Sequence, residues 1–304
     1  MINIAVADTF FSIVTRKESA LKIRMNENYG AFMAGSDLTD NDILFRVDLD
    51  VCGQPAYSAT TKTFKYEIGP DIATLNICSD GNYVLSIHNA ESGHDFWIAC
   101  HNSTATPLPY EYRSNIATLR TAPPKHILDH LLIFALSVAG LRKNILLIHA
   151  STIVYERKAM MYLGESGTGK STHTRMWLEN VAGTRLLNDD APALRVFPDG
   201  RVSAYGTPWS GKTPCYLNES YPLAAMTRIK RAPYNRMSRC KSVAAFGAVL
   251  PSCMPTLQQC DLTLDPLCET LSVLLQYVPV YTLECLPDPD AALTAKTAIF
   301  GAMH

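Results

Sequence analysis

The sequence predicts a mixed α/β protein in two parts, a β-rich N-terminal domain followed by an α/β domain with a phosphate-binding loop. Closely spaced β-prone runs separated by turn signals indicate the first part. In the second part, short β-prone runs alternate with helical patterns. A glycine-rich segment at 164–171 lies between a β-prone run and a helical one, which is the context that such a loop requires.

Composition excludes several broad classes of function. The 304 residues carry a net charge of −1, so we expect no basic field for nucleic acid or an anionic membrane. Apolar runs stay well short of the roughly 20 residues that span a bilayer. The N-terminus has no basic segment before its apolar stretch, so it does not resemble a signal peptide. The nine cysteines form no C-x-x-C pair and are expected to be free thiols in a reducing, cytoplasmic protein.

The N-terminal domain is predicted to span 1–106. Residues 45–51 alternate apolar and charged side chains at period two, the pattern of a strand with one wet face. Four further β-prone runs, with turns between them, favour an antiparallel sheet and lie at 64–68, 72–77, 83–87 and 96–100. No catalytic constellation occurs here, so substrate docking or simple packing is the expected role.

A proline-containing linker at 107–124 is predicted to precede the second domain, 125–304. That domain should open with a helix at 125–142, whose apolar residues recur at helical spacing. The other helices are expected at 171–181 and from about 288 to 301. The expected β-prone segments are 145–155, 158–163, 185–188, 193–197, 202–205 and 280–286.

The strongest motif is Gly164-Glu165-Ser166-Gly167-Thr168-Gly169-Lys170-Ser171, which matches G-x-x-x-x-G-K-[ST]. Glycines permit backbone conformations in which successive N–H groups face an anion. The helix that follows adds the partial positive charge of its N-terminus. Lys170 can place a charge on the β- and γ-phosphates, and the Ser171 hydroxyl can bind magnesium.

A pair of carboxylates follows the loop closely. Asp189 lies nineteen residues after Lys170, and Asp190 is its neighbour at the end of a short apolar run. Adjacent carboxylates beside a phosphate loop can divide two tasks, holding magnesium and accepting a proton from an attacking hydroxyl. The alternative is a solvated turn, because Asp-Asp-Ala-Pro is also favourable turn chemistry.

Together, Ile148-His149-Ala150-Ser151, the loop and Asn188-Asp189-Asp190 resemble the kinase domain of HPr kinase/phosphorylase, over roughly residues 125–301. That family shares its nucleotide-binding core with phosphoenolpyruvate carboxykinase. The resemblance implies a P-loop kinase domain in which residues 164–172 bind ATP and Ser171 and Asp190 contact Mg²⁺. It implies that Asp189 and Asp190 supply the base and a metal contact, with a slight preference for Asp189 as the base. It further implies that His149 faces the phosphates, although a purely structural role for this histidine is the alternative. A homo-oligomer is also implied by the resemblance.

One position departs from the family. HPr kinases carry a glutamate directly after the Lys-Ser of the loop, and this chain has Thr172 there. The glycine-rich signature that HPr kinases carry beyond the aspartates is also not found. The segment 205–212 instead looks like shorter, divergent HPr-kinase-like proteins. We therefore do not expect HPr as the substrate, and the resemblance leaves phosphorylase activity open.

Two further segments have both a functional and a structural interpretation. The loop 206–212 ends in Lys212, which could neutralise charge on a transferring phosphoryl group, or the loop could be ordinary surface. Six basic residues between 228 and 241 form either a solvated face or a clamp for phosphate or an acidic peptide. Arg231 and Arg236 are the members of this cluster to test.

The expected function is ATP- and Mg²⁺-dependent transfer of a phosphoryl group to a hydroxyl, with a serine of a protein or peptide as the leading acceptor. A small-molecule kinase of the same fold is one alternative, and it should tolerate loss of residues 1–106 if it still folds. A nucleotide-binding regulatory or scaffold module is another, and it should show no metal-dependent ATP turnover. The acceptor, the oligomeric state and the choice between ATP and GTP are left open by the sequence.

Overall fold

The computed structural model describes residues 1–55, 58–101, 110–117 and 124–301. The chain divides into two compact units, Met1–Gly140 with Thr256–Leu264 and Leu141–Pro255 with Asp265–His304. Within the described residues, each unit contains one large β-sheet and few helices, so the protein is mixed α/β. Among the helices in these ranges, none is both long and apolar enough to cross a bilayer.

Unit 1 is built on a sheet with the strand order β3-β1-β2-β4-β9-β8-β7-β6-β5. Its strands are β1 (Ile2–Val6), β2 (Thr9–Val14), β3 (Met33–Ala34), β4 (Ile43–Asp48), β5 (Thr60–Ile68), β6 (Asp71–Cys78), β7 (Tyr83–His88), β8 (Asp95–His101) and β9 (Tyr110–Ser114). Strands β5 to β9 follow one another in antiparallel pairs. Strand β4 runs parallel to both β2 and β9. The four runs predicted at 64–68, 72–77, 83–87 and 96–100 therefore form antiparallel strands, whereas the strand predicted at 45–51 pairs in parallel, so the sheet is mixed. Strand β9 lies within the span that was predicted as a linker.

The helices of unit 1 are α1 (Glu18–Tyr29) and α2 (Lys125–Gly140), with a 3-10 helix at Gly30–Phe32. Helix α2 was predicted to open the second domain, but it packs on the first sheet. The Tyr112 hydroxyl of β9 donates a 3.2 Å hydrogen bond to the backbone oxygen of Ala135. The ring of Phe134 packs edge-on against Tyr83 of β7, with centroids 6.2 Å apart. Burial of its apolar face on this sheet assigns α2 to unit 1.

Unit 2 contains a sheet with the order β10-β14-β15-β16-β12-β11-β13, to which β18 adds beside β16 and β17 beside β18. Its strands are β10 (Ile145–Leu147), β11 (Ala150–Tyr155), β12 (Lys158–Leu163), β13 (Arg185–Asn188), β14 (Ala193–Val196), β15 (Val202–Tyr205), β16 (Ser220–Arg231), β17 (Arg236–Arg239) and β18 (Val280–Cys285). Its helices are α3 (Lys170–Asn180), α4 (Ser242–Val249), α5 (Asp261–Tyr277, which starts in unit 1) and α6 (Pro289–Phe300). Two 3-10 helices of unit 2 lie at Leu141–Lys143 and Leu250–Ser252, and a third, Pro255–Gln258, starts in unit 2 and continues into the unit 1 segment Thr256–Leu264.

The single strand predicted at 145–155 is interrupted in the structure. Strand β10 pairs with β14, whereas β11 pairs with β12 and β13. Between them, Ile148 forms an isolated bridge to Cys253, and the backbone N–H of His149 donates to the oxygen of Ser252 at 2.7 Å. The break places His149 at the beginning of β11, beside the ends of β12 and β13.

The core of unit 2 fixes α3 against the sheet. Trp177 of α3 is fully buried, and its ring lies 5.9 Å from that of Tyr155 and 6.5 Å from that of Tyr162. Small buried residues of α6, including Ala291 and Ala295, belong to the same cluster. Because α3 is anchored in this way, its first residue is held at the end of β12, where the glycine loop lies.

Candidate functional site

The glycine loop connects the end of β12 directly to the start of α3. Its three glycines have positive φ angles, 149° at Gly164, 78° at Gly167 and 110° at Gly169. These conformations are readily adopted only by glycine. Gly164 is also required for space, because a Cβ there would lie 2.5 Å from Oγ1 of Thr168. The loop backbone therefore depends on the glycines that define the motif.

Lys170 is buried against the loop that precedes it. Its Nζ donates to the backbone oxygens of Gly164 at 2.8 Å and Glu165 at 3.2 Å. Burial lowers the pKa of this amine, while the carboxylates of Asp190 and Asp189 act in the opposite direction. The cation is thus held at the centre of the loop with acidic groups close by. Ser171, the next residue, is exposed at the start of the helix.

The two aspartates occupy different environments just beyond β13. Asp189 is only 7% exposed, and its Oδ1 accepts a 2.7 Å hydrogen bond from the hydroxyl of Ser151. That hydroxyl also lies 3.1 Å from Oγ1 of Thr174 in α3. Asp190 is half exposed, and its Oδ1 lies 3.7 Å from Nε2 of His149. One carboxylate is therefore fixed by a buried serine hydroxyl, and the other faces a histidine and solvent.

Electrostatics connect these groups into one cluster. Burial raises the pKa of Asp190, and the nearby His149 and Lys170 partly offset that rise. Burial also lowers the pKa of His149, Lys170 lowers it further, and Asp190 acts in the opposite direction. Each charge therefore affects the proton affinity of its neighbours, an arrangement that is typical of functional sites.

Asn188 attaches the loop 206–212 to the aspartates. Its side-chain nitrogen donates to Oγ1 of Thr207 at 3.1 Å and to the backbone oxygen of Trp209 at 2.9 Å. Its side-chain oxygen accepts from the backbone N–H groups of Asp190 and Ala191 at 2.9 and 3.0 Å. One fully buried amide therefore fixes both the turn that contains the aspartates and the loop beside it.

The far end of the same loop approaches the aspartates closely. A Cβ at Gly211 would lie 2.8 Å from the backbone oxygen of Asp189 and 3.3 Å from Cβ of Asp190. Only a glycine fits this approach without displacing the backbone. Lys212, the next residue, is exposed. The predicted loop therefore lies beside the aspartates, and Lys212 directly follows the glycine that approaches them.

Two arginines from β16 contact the glycine loop. Strand β16 runs parallel to β12, with Arg228 opposite Leu163, so the end of β16 lies beside the start of the loop. The Arg228 guanidinium lies 3.5 Å from the Glu165 carboxylate. Arg231 donates to the backbone oxygen of Gly167. Arg236 instead pairs with Glu284 at 2.6 Å, so the predicted basic cluster divides into residues at the loop and residues elsewhere.

The donors around the loop suit a phosphate–magnesium complex. Glycine conformations and a helix N-terminus are the features that bind phosphates, and Lys170 supplies the charge. The hydroxyl of Ser171 and the carboxylates of Asp189 and Asp190 are the hard oxygen donors that Mg²⁺ prefers. In the part of the chain that the structure describes, no group of three or more His, Cys, Asp or Glu side chains could hold a metal by itself.

Comparison with known proteins adds little to this geometry. No family model and no curated protein matches the sequence. Among solved structures, the chain is similar to the Hpr(Ser) kinase/phosphatase from Coxiella burnetii, with 12% identity and a TM-score of 0.30. The match covers 52% of this chain and 90% of that chain. A likeness at this level indicates a distant relationship at most, and none of the proposals below depends on it.

The structure brings most of the predicted site residues together. His149, Lys170, Asp189 and Asp190 form one cluster, and the loop 206–212 lies against it. Ser151 was not singled out by the sequence analysis as a site residue, and Arg228 was predicted only as a member of the basic cluster between 228 and 241. Ser151 lies within the segment that carries the family resemblance, but its bond to Asp189 depends on the pairing of β11 with β13. The contact of Arg228 depends on the pairing of β16 with β12.

Proposed function

We propose that this chain is an ATP- and Mg²⁺-dependent phosphotransferase of the P-loop kinase type that transfers the γ-phosphoryl group to a hydroxyl. The observation that carries the proposal is that Lys170, inside a glycine loop, lies close to Asp189, Asp190 and His149. The two carboxylates also occupy different environments. Phosphoryl transfer needs mainly positioning and charge neutralisation, and this cluster supplies groups for both. The proposed acceptor is a serine of a protein or peptide.

The environments of the aspartates favour a division of labour. A carboxylate that holds magnesium has to be fixed in position, and Asp189 is the one that Ser151 holds in place. Asp190 is more exposed, and its raised pKa makes it the better proton acceptor. We therefore propose Asp190 as the base and Asp189, with Ser171, as metal ligands. This assignment reverses the slight preference that was drawn from the sequence.

The transfer step then follows from these roles. The Asp190 carboxylate accepts the proton of the acceptor hydroxyl, whose oxygen forms a bond to the γ-phosphorus. The bond between that phosphorus and the β,γ-bridging oxygen breaks, and ADP is the leaving group. Magnesium, when bound, neutralises charge on the phosphate oxygens. Lys170 adds a second cation, and Lys212 is the proposed third at the edge of the site.

The first test is calorimetric binding of ATP with and without magnesium to the wild type and to Lys170→Ala. We expect magnesium-dependent binding that Lys170→Ala weakens by about tenfold or more, the effect of removing one charged hydrogen-bond donor. Lys143→Ala, which changes an exposed lysine of the same unit, is the matched control and should bind normally. Absence of binding by a folded wild-type protein would contradict the proposal.

The second test separates catalysis from binding alone. Metal-dependent release of ADP is measured for Asp189→Asn and Asp190→Asn over a range of magnesium concentrations. Asp190→Asn should lower turnover by about a hundredfold at every magnesium concentration. Asp189→Asn should instead raise the magnesium requirement. If neither variant changes turnover, the protein is a nucleotide-binding module and the aspartates have no catalytic role.

The acceptor is tested with radiolabelled γ-phosphate. Serine-containing peptides are compared with the same peptides carrying alanine, and with free serine and glycerol. Label in the serine peptides alone supports the proposed acceptor. Label in the small alcohols alone would identify a small-molecule kinase instead.

A further inference from the structure

A cavity of about 580 Å³ lies beside the glycine loop within unit 2. One wall is formed by the loop and α3, and the opposite wall by the segments in which β16 and β18 end. Its lining includes Gly169, Thr172, Met176, Ile229, Cys285 and Leu286. Its volume falls within the range that is usual for small-molecule sites.

The lining of the cavity is mostly apolar and uncharged. Met176, Ile229 and Leu286 contribute hydrocarbon or thioether surface. His173 also lines the cavity, and its Nε2 accepts a 3.1 Å hydrogen bond from the indole nitrogen of Trp177. Such a lining suits a flat, uncharged heteroaromatic ring better than it suits phosphate.

Arg231 provides the charge at the boundary between the cavity and the loop. It lines the cavity, and its guanidinium donates to the backbone oxygen of Gly167. Arg231 therefore places a cation where a ligand would pass from the apolar cavity to the phosphate loop. Arg236, five residues later, is engaged with Glu284 and does not line the cavity.

We propose that this cavity binds the nucleoside of the phosphoryl donor and that Arg231 binds the phosphates next to that nucleoside. The proposal rests on the function proposed above and locates the part of the site that would recognise the nucleoside of the donor. A nucleotide would use both the cavity and the loop, whereas inorganic tripolyphosphate would use only the loop and Arg231. The protein should therefore prefer a nucleoside triphosphate to an inorganic polyphosphate.

The test compares magnesium-dependent binding of ATP and of tripolyphosphate by calorimetry. The wild type should bind ATP at least about tenfold more tightly, because only ATP buries an aromatic ring in the cavity. Equal affinities would overturn the proposal, and this comparison needs no variant. If neither compound binds, the proposed function fails as well.

Variants then locate the two contacts separately. Ala232 lines the cavity, and Ala232→Phe should weaken ATP binding by about tenfold while tripolyphosphate binding is retained. Ala244→Phe, on an exposed position of α4, is the matched control and should change neither affinity. Unchanged ATP binding by Ala232→Phe would exclude the cavity as the nucleoside site.

Arg231→Ala should weaken binding of both compounds by about ten- to a hundredfold, since a charged hydrogen bond to phosphate is lost in each case. Arg236→Ala is its control and should leave both affinities unchanged. Normal affinities in Arg231→Ala would overturn the assignment of Arg231. Thermal melting of each variant shows whether it is folded under the conditions of the binding measurement.

Discussion

Replacing Asn188 with alanine tests how the candidate site is held together. The side chain is fully buried and makes hydrogen bonds to two segments of chain. Asn188→Ala removes the acceptor of the Asp190 and Ala191 N–H groups and the donor to Thr207 and Trp209. We expect the loop 206–212 to separate from the aspartates and unit 2 to become less stable.

The magnitude follows from the contacts that are lost. Each hydrogen bond between uncharged groups contributes about 1 kcal/mol net, and a partner that stays buried and unsatisfied costs about 1–3 kcal/mol. Four bonds of 3.1 Å or less and one of 3.5 Å to Asn188 are broken, but the N–H groups of Asp190 and Ala191 are only part-buried and can regain water. The expected loss in the free energy of unfolding is therefore about 3 kcal/mol. Asn180→Ala removes one exposed bond to Met176, and as the control it should cost less than about 0.5 kcal/mol.

Urea unfolding and tryptophan fluorescence measure both effects. Trp209 lies in the loop and is only 3% exposed, so its release would increase quenching by acrylamide under native conditions. Trp97 belongs to unit 1, and Trp177 is fully buried in the core of unit 2, so both should remain protected. A loss of less than about 1 kcal/mol, with Trp209 still protected, would refute the idea that Asn188 holds the loop.

Two further predictions concern pH. His149 lowers the pKa of Asp190, so His149→Gln should raise that pKa and move the acidic limb of the pH profile of turnover to higher pH. An acidic limb that does not move would show that His149 does not affect the titration of Asp190. In unit 1, burial raises the pKa of Asp129 to about 6 and lowers that of His130 to about 4. The contribution of Asp129 to stability is present below its unfolded pKa and is lost as pH rises through about 6. The contribution of neutral His130 is lost as pH falls from its unfolded value towards about 4, so the two offset each other. As the pH falls from 7 to 4, the free energy of unfolding of Asp129→Asn, measured with urea, should therefore drop by up to about 3 kcal/mol relative to that of the wild type. If the free energies of the two proteins change in parallel with pH, this account of Asp129 is wrong.

The parts of the site that the sequence predicts are those with short-range signals. The strand, the glycines and the helix that begins at Lys170 are contiguous, so residues 158–180 carry all the information for that arrangement. Asn188 to Asp190 could be recognised because an apolar run ends in carboxylates near the loop. The environments that distinguish Asp189 from Asp190 depend on Ser151 and His149, which lie on another strand.

The parts that were not predicted depend on pairing between distant segments. Strand β16 was not assigned from the sequence, although its parallel pairing with β12 brings Arg228 and Arg231 to the loop. Helix α5 includes Pro266, a residue that usually ends a helical pattern, and it was also not assigned. The alternating segment Tyr110–Ser114 lies among prolines and was assigned to a linker. Tertiary pairing in each case outweighs the local signal.

The place where unit 1 ends changes how its role must be tested. Deletion of residues 1–106 would remove Tyr83 but keep α2, whose apolar face packs on this sheet. Without its sheet, α2 would expose residues at eleven positions that are buried in the intact protein, which favours aggregation. The resulting loss of activity could be mistaken for loss of substrate docking. Even a deletion through Gly140 would leave Thr256–Leu264, which also belong to unit 1. Substitutions at exposed positions of β5, such as Lys65→Glu, keep the fold, and a KM for the peptide that rises while kcat is unchanged would assign docking to this sheet.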